Sequence, residues 1–549
     1  MLGLDGATFD VLDPLFARGE LPHLAHLAGA GWRTELWSTL PPATLPAWTS
    51  FLTAASPASH GVTDLMLRVP RTYGLRPASG HDRRLPTFLM RLSAAGLRVA
   101  SVGVPGTYPP EPIRGLCIPG FDAPGAARVR ADGVWPPELY PRLMELGGWT
   151  YAAFNEHGPA RTRLQQAVPA ILADLEVKER VIASLYSEEP WDLFFVHLQA
   201  SDTAQHHLWH THDPLSPRAA HPELSDALTR VLRRIDALVG RLLARVPPAG
   251  RVLVVSDHGM GGASDVAVHL NRWLSERDFL VFADGLTSGF HQIAGRVARR
   301  ALSVAPKRLL GAAVQRLPVD LAARLFSLSH QAPINFAATL AFSDELDYAP
   351  SIWLNRRRSF PNGRVSEAEA PAMIERLVAD LAELRHPTTG ETLVARVYRR
   401  QDLPQGPHVS LSPDLLIDPA WPQGYRASFL PSRSPGPAVR RMTPEERDAS
   451  KGAGMAGVHK RQGVFMAFGP GLRPLDLPLM DLPQAGALVY PLLGVPVPSD
   501  VAAQLPTYAD ELLAVQRSSG DATDAPASPA SIRDQVEMLR QLNEMGYLG

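Results

Sequence analysis

The sequence predicts an α/β protein built on a doubly wound, mostly parallel sheet. Short apolar runs rich in β-branched residues alternate with longer segments of helical periodicity, and no repeat of fixed period interrupts them. This alternation is typical of βαβ units, in which a helix crosses over between two parallel strands. Hydrophobic residues make up 45% and charged residues 20% of the 549-residue chain, a composition that suits an ordinary globular core.

The elements follow from local pattern, taken in chain order. The helical pattern of 85–95 closes at Gly96, a residue suited to a helix C-cap. A helix with apolar residues at three-to-four spacing is predicted over 223–244, between two fully apolar runs. Apolar runs of this length predict strands that are buried on both faces. The predicted buried strands are 98–104 (RVASVGV), 192–198 (DLFFVHL), 251–256 (RVLVVS) and 464–468 (VFMAF).

The later half of the chain divides into three parts. Basic residues and few acids accompany a helical pattern over 290–330, which predicts either a cap over an anionic substrate, a membrane-surface element, or an inserted hairpin with a solvated basic face. The α/β pattern returns over 351–419, and a polar linker precedes a terminal amphipathic helix at 532–545. We therefore predict a catalytic core at 1–285 and 335–515, a helical basic cap at 286–334, and a linker with C-terminal helix at 516–549.

Bulk properties narrow the function classes. The net charge of −1 offers no global field for nucleic acid, so the predicted partner is a small molecule. Cys117 is the only cysteine, which excludes an intramolecular disulfide. No apolar stretch is long enough for a transmembrane helix, and no signal peptide opens the chain, so a cytoplasmic protein is expected. The chain begins inside a predicted strand, which leaves open whether further strand residues and a signal segment precede it.

Side chains capable of metal binding or nucleophilic attack lie at the ends of predicted strands. In open α/β sheets, ligands bind outside the carboxyl ends of the strands, so these side chains are predicted to converge. The motifs are GLDGATFD, PPATLPAWTSF, QASDTAQHH, VVSDHGM and GMAGVHKRQG. The candidate residues in them are Asp5, Thr44, Asp202, His206, Asp257, His258 and His459.

Spacing supports metal binding for part of this set. Asp202 and His206 are four residues apart, so one helical face presents both to a single ion. Asp257 and His258 directly follow a buried strand, where a tight turn aims both into one crevice. Mixed carboxylate and imidazole ligands suit zinc, and manganese less well. Taken singly, Asp5, the Asp202–His206 pair and His459 fit a helix cap, a hydrogen-bond partner or a surface histidine at least as well, and His210 could replace His206. Asp257 and His258 are more telling, because two ionisable groups rarely follow a buried strand without a role.

The nucleophile has competitors. Thr49 and Ser50 lie close to Thr44, but Pro46 predicts the start of a helix that contains them. Thr44, just ahead of that helix, would face its N-terminus, where backbone amides favour a phosphate. The remaining histidines near the motifs are predicted to be supporting, core or surface residues: His60, His197, His207, His210 and His212.

In order and context, these motifs resemble the alkaline phosphatase superfamily, and specifically the type I phosphodiesterase/nucleotide pyrophosphatase family in its bacterial and archaeal branch. The likeness covers most of residues 1–480. It implies an alkaline phosphatase-like fold and a two-metal phosphoester hydrolase with two divalent ions, most commonly zinc, with manganese as the alternative. One ion would be held by Asp202, His206 and His459, and the other by Asp5, Asp257, His258 and the Thr44 oxygen. Thr44 would be the nucleophile and would form a phosphothreonine intermediate.

Departures from the family pattern leave the substrate open. Ala47 stands where the nucleotide pyrophosphatases have an asparagine that contacts phosphate, and Ala54 and Ala55 replace the usual glycine. The sulfatase pattern is absent. A phosphodiesterase or nucleotide pyrophosphatase is the leading hypothesis. The alternatives are a phosphonate hydrolase or phosphomutase on the same scaffold, a phospho-headgroup transferase acting on lipid or glycan, and a non-catalytic metal-binding scaffold.

Overall fold

The computed structural model of the chain describes most of the predicted core. The described residues are 1–124, 129–152, 154, 160–188, 190–217, 222–283, 334–346, 348, 350–432, 436–447, 454–518 and 531–544. Residues 286–333 of the predicted cap and 519–530 of the predicted linker therefore lie outside the described residues.

The strands and helices alternate through the first half of the chain, as the periodicity predicts. The strands are β1 (Leu2–Leu4), β2 (Trp32–Trp37), β3 (Met66–Arg68), β4 (Leu75–Pro77), β5 (Val99–Val104), β6 (Gly115–Pro119), β7 (Leu193–Leu198), β8 (Val252–Val255), β9 (Gly259–Val268), β10 (Ala341–Phe342), β11 (Ser351–Leu354), β12 (Val394–Arg399), β13 (Leu415–Pro419), β14 (Tyr425–Phe429), β15 (Val439–Arg441), β16 (Gly457–Lys460), β17 (Gln462–Phe468), β18 (Leu475–Asp476) and β19 (Met480–Asp481).

The described α-helices range from single turns to more than seven turns. They are α1 (Phe9–Ala17), α2 (Pro22–Ala30), α3 (Thr44–Thr53), α4 (Pro57–His60), α5 (Phe88–Ala94), α6 (Leu139–Glu145), α7 (Ala160–Tyr186), α8 (Ala200–His212), α9 (Ala227–Leu243), α10 (Leu270–Ser275), α11 (Ala370–Ala382), α12 (Pro444–Arg447), α13 (Leu482–Leu492), α14 (Ser499–Ala502), α15 (Ala509–Leu512) and α16 (Ile532–Glu544).

A nine-stranded sheet organises the molecule. Its strand order is β18–β2–β17–β8–β1–β7–β5–β6, with β19 also paired to β2. Strands β8, β1, β7, β5 and β6 run parallel to one another, whereas β17 runs antiparallel to both of its neighbours. The predicted mostly parallel α/β sheet is confirmed, and the carboxyl ends of its parallel strands share one edge.

Smaller sheets accompany the central one. Strand β9 pairs with β14, β15 and β16, and a separate four-stranded sheet has the order β10–β11–β13–β12. The predicted α/β pattern of 351–419 is confirmed by β11, α11, β12 and β13. Strand β16 is important for the site because it runs antiparallel to β9, which begins directly after Asp257 and His258.

Helices cover both faces of the central sheet. One buried apolar cluster joins the sheet to α7, α8 and α9, and a second joins its other face to α3, α5 and α13. This arrangement is the doubly wound packing that buries a parallel sheet on both sides. The predicted helix at 223–244 begins at Ala227, because Pro222–Leu224 form a separate 3₁₀ turn. None of the described helices is both long enough and apolar enough to cross a lipid bilayer.

We expect Gly486→Ala to destabilise the fold and Gly29→Ala to leave it unchanged or slightly stabilised. A Cβ on Gly486 in α13 would overlap the carbonyl oxygen of Phe51 in α3, so two buried helices would have to separate. A Cβ on Gly29, in α2, meets no atom within 4 Å. Overpacking of this kind costs about 1–3 kcal/mol, whereas alanine for glycine in an open helix position stabilises by up to about 1 kcal/mol. Urea unfolding of both variants measures the difference, and equal midpoints would contradict it.

Candidate metal centre

The structure brings the seven predicted side chains together at the carboxyl edge of the central sheet. They come from five separate segments of the chain, and none of the seven residues is more than 5% exposed. The residues are Asp5, Thr44, Asp202, His206, Asp257, His258 and His459.

Each segment reaches this edge for a local reason. Asp5 directly follows β1, and Asp257 lies two residues beyond the end of β8, the parallel neighbour of β1. Asp202 lies in the first turn of α8, which begins two residues after β7 ends. His459 lies on β16, where pairing with β9 sets it opposite Met260. The sheet register therefore gathers residues that are up to about 450 positions apart in sequence.

Thr44 is the first residue of α3. The predicted helix start at Pro46 is wrong by two residues, because the extended backbone of Ala43 (φ −116°, ψ 140°) is the last non-helical conformation. Pro46 thus occupies the third helical position, still within the first turn, where its missing N–H costs no hydrogen bond. The Thr44 hydroxyl lies at a helix N-terminus, where the helix dipole favours an anion.

Three donor atoms form the first cluster. Asp202 Oδ1 lies 3.2 Å from His206 Nε2 and 3.5 Å from His459 Nε2, and the two Nε2 atoms are 3.0 Å apart. Ligand atoms about 2.0–2.1 Å from a tetrahedral zinc ion are separated by about 3.3 Å from one another. The spacing of these three atoms therefore suits a single tetrahedral ion.

The hydrogen bond made by Nδ1 of each ring shows whether its Nε2 atom carries a proton or a lone pair. His206 Nδ1 donates to the carbonyl oxygen of Gly457, and His459 Nδ1 donates to that of Pro42, each at 2.8 Å. A neutral imidazole that donates from Nδ1 has a lone pair on Nε2. Two lone pairs thus face each other across 3.0 Å, an arrangement that is stabilised when a cation lies between them.

The second cluster surrounds His258 Nε2. This atom lies 3.3 Å from Asp257 Oδ2, 3.6 Å from Asp5 Oδ1 and 3.3 Å from the Thr44 hydroxyl oxygen. His258 Nδ1 donates to the carbonyl oxygen of Gly259 at 3.1 Å, so Nε2 again carries the lone pair. Within the described residues, Asp5 Oδ1 and Asp257 Oδ2 are buried without a hydrogen-bond donor. Buried carboxylate oxygens of this kind need a cation or a proton.

His258 connects the two clusters. Its ring stacks on that of His459 with centroids 3.7 Å apart. Two sets of three ligand atoms lie within 4.8 Å of one another, and both contain His258: the first has Asp202 and His459, and the second has Asp5 and Asp257. The ligand atoms therefore form one continuous centre, in which His258 belongs to both sets.

Burial sets the ionisation of this centre. It raises the pKa of Asp5 to about 7, with help from the charge of Asp202, and it raises the pKa of Asp257 well above its usual range, with help from Asp5 and Asp202. Burial also raises the pKa of Asp202, but His206 and His459 outweigh it and hold that pKa well below its usual range. Burial beside His459 lowers the pKa of His258 to about 3, so its imidazole is neutral.

Supporting residues hold Asp5 in place. His197, on β7, lies with Nε2 2.8 Å from Asp5 Oδ2, and the Trp48 indole N–H points at the same oxygen from 3.4 Å. Burial next to Lys178 lowers the pKa of His197 to about 3, so the ring is a neutral donor. These contacts leave Asp5 Oδ1 directed toward His258. From the sequence, His197 was predicted only as one of several supporting, core or surface histidines, and Trp48 was not identified. The signal for His197 was its penultimate position in a buried strand.

Competing hydroxyls are engaged elsewhere. The Thr49 hydroxyl donates to the Leu45 carbonyl oxygen at 2.7 Å within α3. Ser50 Oγ lies 2.9 Å from His60 Nε2, but His60 Nδ1 accepts the Val62 N–H, so Nε2 carries the proton and donates to Ser50. A histidine that donates cannot act as a base for the serine. Thr44 is the hydroxyl in this helix that faces the donor atoms.

Helix α8 decides between the two candidate histidines. His206 Nε2 lies beside Asp202 and His459, as described above, so the helical spacing of four residues brings His206 to the cluster. His207 packs against the ring of Phe154 instead.

Comparison with known proteins gives one matching family and several solved structures with limited similarity. A sequence model of the family described as type I phosphodiesterase / nucleotide pyrophosphatase matches residues 1–427. No curated protein sequence matches the chain. Phosphonoacetate hydrolase from Sinorhizobium meliloti 1021 is similar in structure, with a TM-score of 0.49, 15% identity, and coverage of 88% of this chain and 93% of that one. Human ectonucleotide pyrophosphatase / phosphodiesterase 5 has a TM-score of 0.45, 13% identity, and coverage of 93% and 98%.

We expect zinc to raise the Tm of metal-depleted protein, and to raise it more at about pH 8 than at about pH 6. The pKa of Asp5 is raised to about 7 in the folded protein, so protonated Asp5 stabilises the metal-free fold at pH values below its pKa in the unfolded chain. This contribution is lost as the pH rises through 7. At pH 6 this carboxyl must also release a proton before it can bind a cation. Thermal unfolding with and without zinc at both pH values measures the shift. Asp5→Asn should reduce it, and equal shifts at both pH values would contradict this explanation.

Proposed function

The chain belongs to the type I phosphodiesterase / nucleotide pyrophosphatase family, whose members are metal-dependent phosphoester hydrolases, and on that premise we propose that it cleaves phosphodiesters with Thr44 as the nucleophile. The observation that carries this proposal is the position of the Thr44 hydroxyl. It lies 3.3 Å from His258 Nε2, at the N-terminus of α3, beside two buried sets of metal-type donors.

The donor chemistry fits two divalent cations, most readily zinc. Asp202, His206 and His459 would hold one, and Asp5, Asp257, His258 and the Thr44 oxygen would hold the other. When bound, such ions lower the pKa of a coordinated hydroxyl and neutralise charge on the phosphoryl oxygens. His258 supplies a neutral imidazole, and Asp5 and Asp257 supply buried oxygens that lack a hydrogen-bond donor and become ligands once these carboxyl groups release their protons.

The reaction divides into two displacements at phosphorus. In the first, the Thr44 oxygen bonds to phosphorus, and one alkoxide of the diester leaves with the bonding electrons and takes up the proton lost by the Thr44 hydroxyl. The intermediate is a phosphothreonine that still carries the second ester group. In the second, a water oxygen bonds to the same phosphorus and loses a proton, the Thr44 oxygen leaves and takes up that proton, and a phosphomonoester is released. The N-terminus of α3 favours the phosphoryl charge in both steps because its amides and dipole point toward Thr44.

A diester suits the nucleophile motif better than a monoester does. Residues 44–48 read Thr-Leu-Pro-Ala-Trp and hold no arginine or lysine to pair with the second negative charge of a monoester. Ala47 follows Pro46 where an amide side chain would contact phosphate in the nucleotide pyrophosphatases. We infer that recognition of the rest of the substrate comes from residues outside this motif.

Removal of the Thr44 hydroxyl should abolish turnover while leaving the fold intact. We expect Thr44→Val to lower kcat on bis-p-nitrophenyl phosphate by at least about 10³-fold, because no second hydroxyl in α3 faces the donors. Thr49→Val is the matched control: it removes a hydroxyl of the same helix that bonds only to the Leu45 carbonyl. It should retain kcat within about five-fold. A Thr44→Val enzyme with near-normal kcat would contradict the nucleophile assignment.

Substrate and metal dependence should separate the proposed reaction from its alternatives. We expect kcat/KM to be at least about ten-fold higher for bis-p-nitrophenyl phosphate than for p-nitrophenyl phosphate. Chelation should remove the activity and zinc should restore it, because the buried donors require a cation to act. Steady-state release of p-nitrophenolate measures all three. Higher activity on the monoester, or activity that survives chelation, would contradict the proposal, and turnover of a phosphonate alone would favour a phosphonate hydrolase.

A further inference from the structure

A small cavity lies directly beside the proposed metal centre. Its volume is about 30 Å³, enough for about two water molecules or one carboxylate group. His459 and Pro42 both line this cavity, and the hydrogen bond from His459 Nδ1 to the Pro42 carbonyl oxygen joins them. Pro42 lies two residues before Thr44. The cavity therefore borders both a proposed metal ligand and the segment that leads to the nucleophile.

Two guanidinium groups line this cavity, and one carboxylate opposes them. Arg426, on β14, is 2% exposed, and Arg461 lies in the connection between β16 and β17. Asp418 is the acidic residue in the described lining. Lys460 also lines the cavity, but its ammonium pairs with Asp10, which lies outside the lining. The charged groups that remain carry a net positive charge, which favours an anion.

Arg461 has spare hydrogen-bonding capacity. Its two Nη atoms donate to the Tyr398 hydroxyl and the Ser38 carbonyl oxygen, both at 3.4 Å, which is long for such a bond. Each Nη atom has a second N–H. The guanidinium lies over the Trp37 ring, 4.1 Å from its centroid, and no carboxylate of the described residues is within 4 Å of it. Arg461 is therefore held by a ring rather than by an acid, so its charge is available to a ligand.

Most of the remaining cavity wall is apolar. It is formed by three leucine or isoleucine side chains and three prolines: Leu40, Pro41, Pro350, Leu416, Ile417 and Pro419. A proline has a fixed φ and no N–H, so these walls add neither a competing donor nor backbone freedom. Charge-assisted hydrogen bonds are stronger in such apolar surroundings than in water, and the planar guanidinium matches the two oxygens of a carboxylate. These features favour a carboxylate over a neutral polar group.

We propose that this cavity is a subsite for a carboxylate on one ester group of the substrate, and that Arg461 is the residue that selects it. This inference rests on the proposed function. With the phosphorus at Thr44, a short ester group extends past His459, and its carboxylate pairs with the free N–H groups of Arg461. An ester group without this charge leaves the guanidinium with only its two long hydrogen bonds, so it is bound less tightly.

Two phosphomonoesters of equal size test the subsite, because they differ only in a carboxylate against an amide. We expect the zinc-loaded wild-type chain to bind 2-carboxyethyl phosphate at least about ten-fold more tightly than 2-carbamoylethyl phosphate. Isothermal titration calorimetry measures both Kd values. Arg461→Gln keeps a polar side chain but removes the charge, and it should bring the ratio of the Kd values close to one. A wild-type ratio near one, or a ratio that Arg461→Gln does not change, would overturn the proposal.

Arg396→Gln is the matched control. Arg396 lies over the Tyr398 ring, 4.5 Å from its centroid, much as Arg461 lies over Trp37, but it is not part of the described cavity lining. The same change at Arg396 should therefore keep the ratio of the Kd values within about two-fold of the wild-type ratio, because a solvated charge outside the cavity acts weakly. An equal fall in both variants would show a general effect of surface charge and would refute the subsite.

Hydrolysis of bis-p-nitrophenyl phosphate separates the subsite from the proposed function and guards against loss of folding. This diester carries no carboxylate, so Arg461→Gln should keep its kcat/KM within about three-fold of the wild-type value. A much larger loss would refute a role of Arg461 that is confined to carboxylate binding. Wild-type protein that shows the Kd ratio but hydrolyses no diester would refute the proposed function and support the subsite. Hydrolysis together with a Kd ratio near one would refute only the subsite.

Discussion

Buried acceptor atoms lie close to one another at the carboxyl edge of the central sheet, and the rest of the site depends on how their mutual repulsion is relieved. The Nε2 lone pairs of His206 and His459 lie 3.0 Å apart, each fixed by a carbonyl that holds the opposite ring nitrogen as a donor. Close by, Asp5 and Asp257 each direct one oxygen without a donor toward His258. A cation can accept lone pairs from all of these atoms at once, whereas a water molecule donates only two hydrogen bonds. This is the physical basis on which the metal-dependent chemistry of the family applies to this chain.

The fold holds these groups close together by giving each a rigid support. Strands β1, β7 and β8 are hydrogen-bonded neighbours, so the residues that follow them cannot drift apart. Two glycines allow the backbone segments around the site to lie close together. A Cβ on Gly6, where φ is +67°, would press on Asp202, and a Cβ on Gly457 would overlap the Gln205 carbonyl oxygen. His197 then orients Asp5 from behind. Supports of this kind on rigid elements keep donor atoms within the few tenths of an ångström that metal ligation needs.

Thr44 lies where the core of the central sheet meets a separate apolar cluster. Thr44 opens α3, whose buried face includes Trp48 and Phe51 and packs deep against the sheet, while its neighbours Ala43 and Leu45 face a separate apolar cluster. The C-terminal helix completes that cluster from the far end of the chain.

Local pattern was enough to determine much of this protein. Apolar runs predicted β5, β7, β8 and β17 to within a few residues, and the motifs named the seven side chains that the structure gathers, because strand ends and i,i+4 spacing are properties of short segments. Other features were settled only by the tertiary structure. These are the start of α3 at Thr44, the position of His258 in both donor sets, the support from Trp48 and the packing of α16 against β4, all of which depend on contacts between distant segments. The pairing of β16 with β9 joins residues about 200 positions apart, and no periodicity within either strand specifies its partner. The predicted basic cap at 286–334 remains a prediction for the same reason, since its packing partner cannot be deduced from its own pattern.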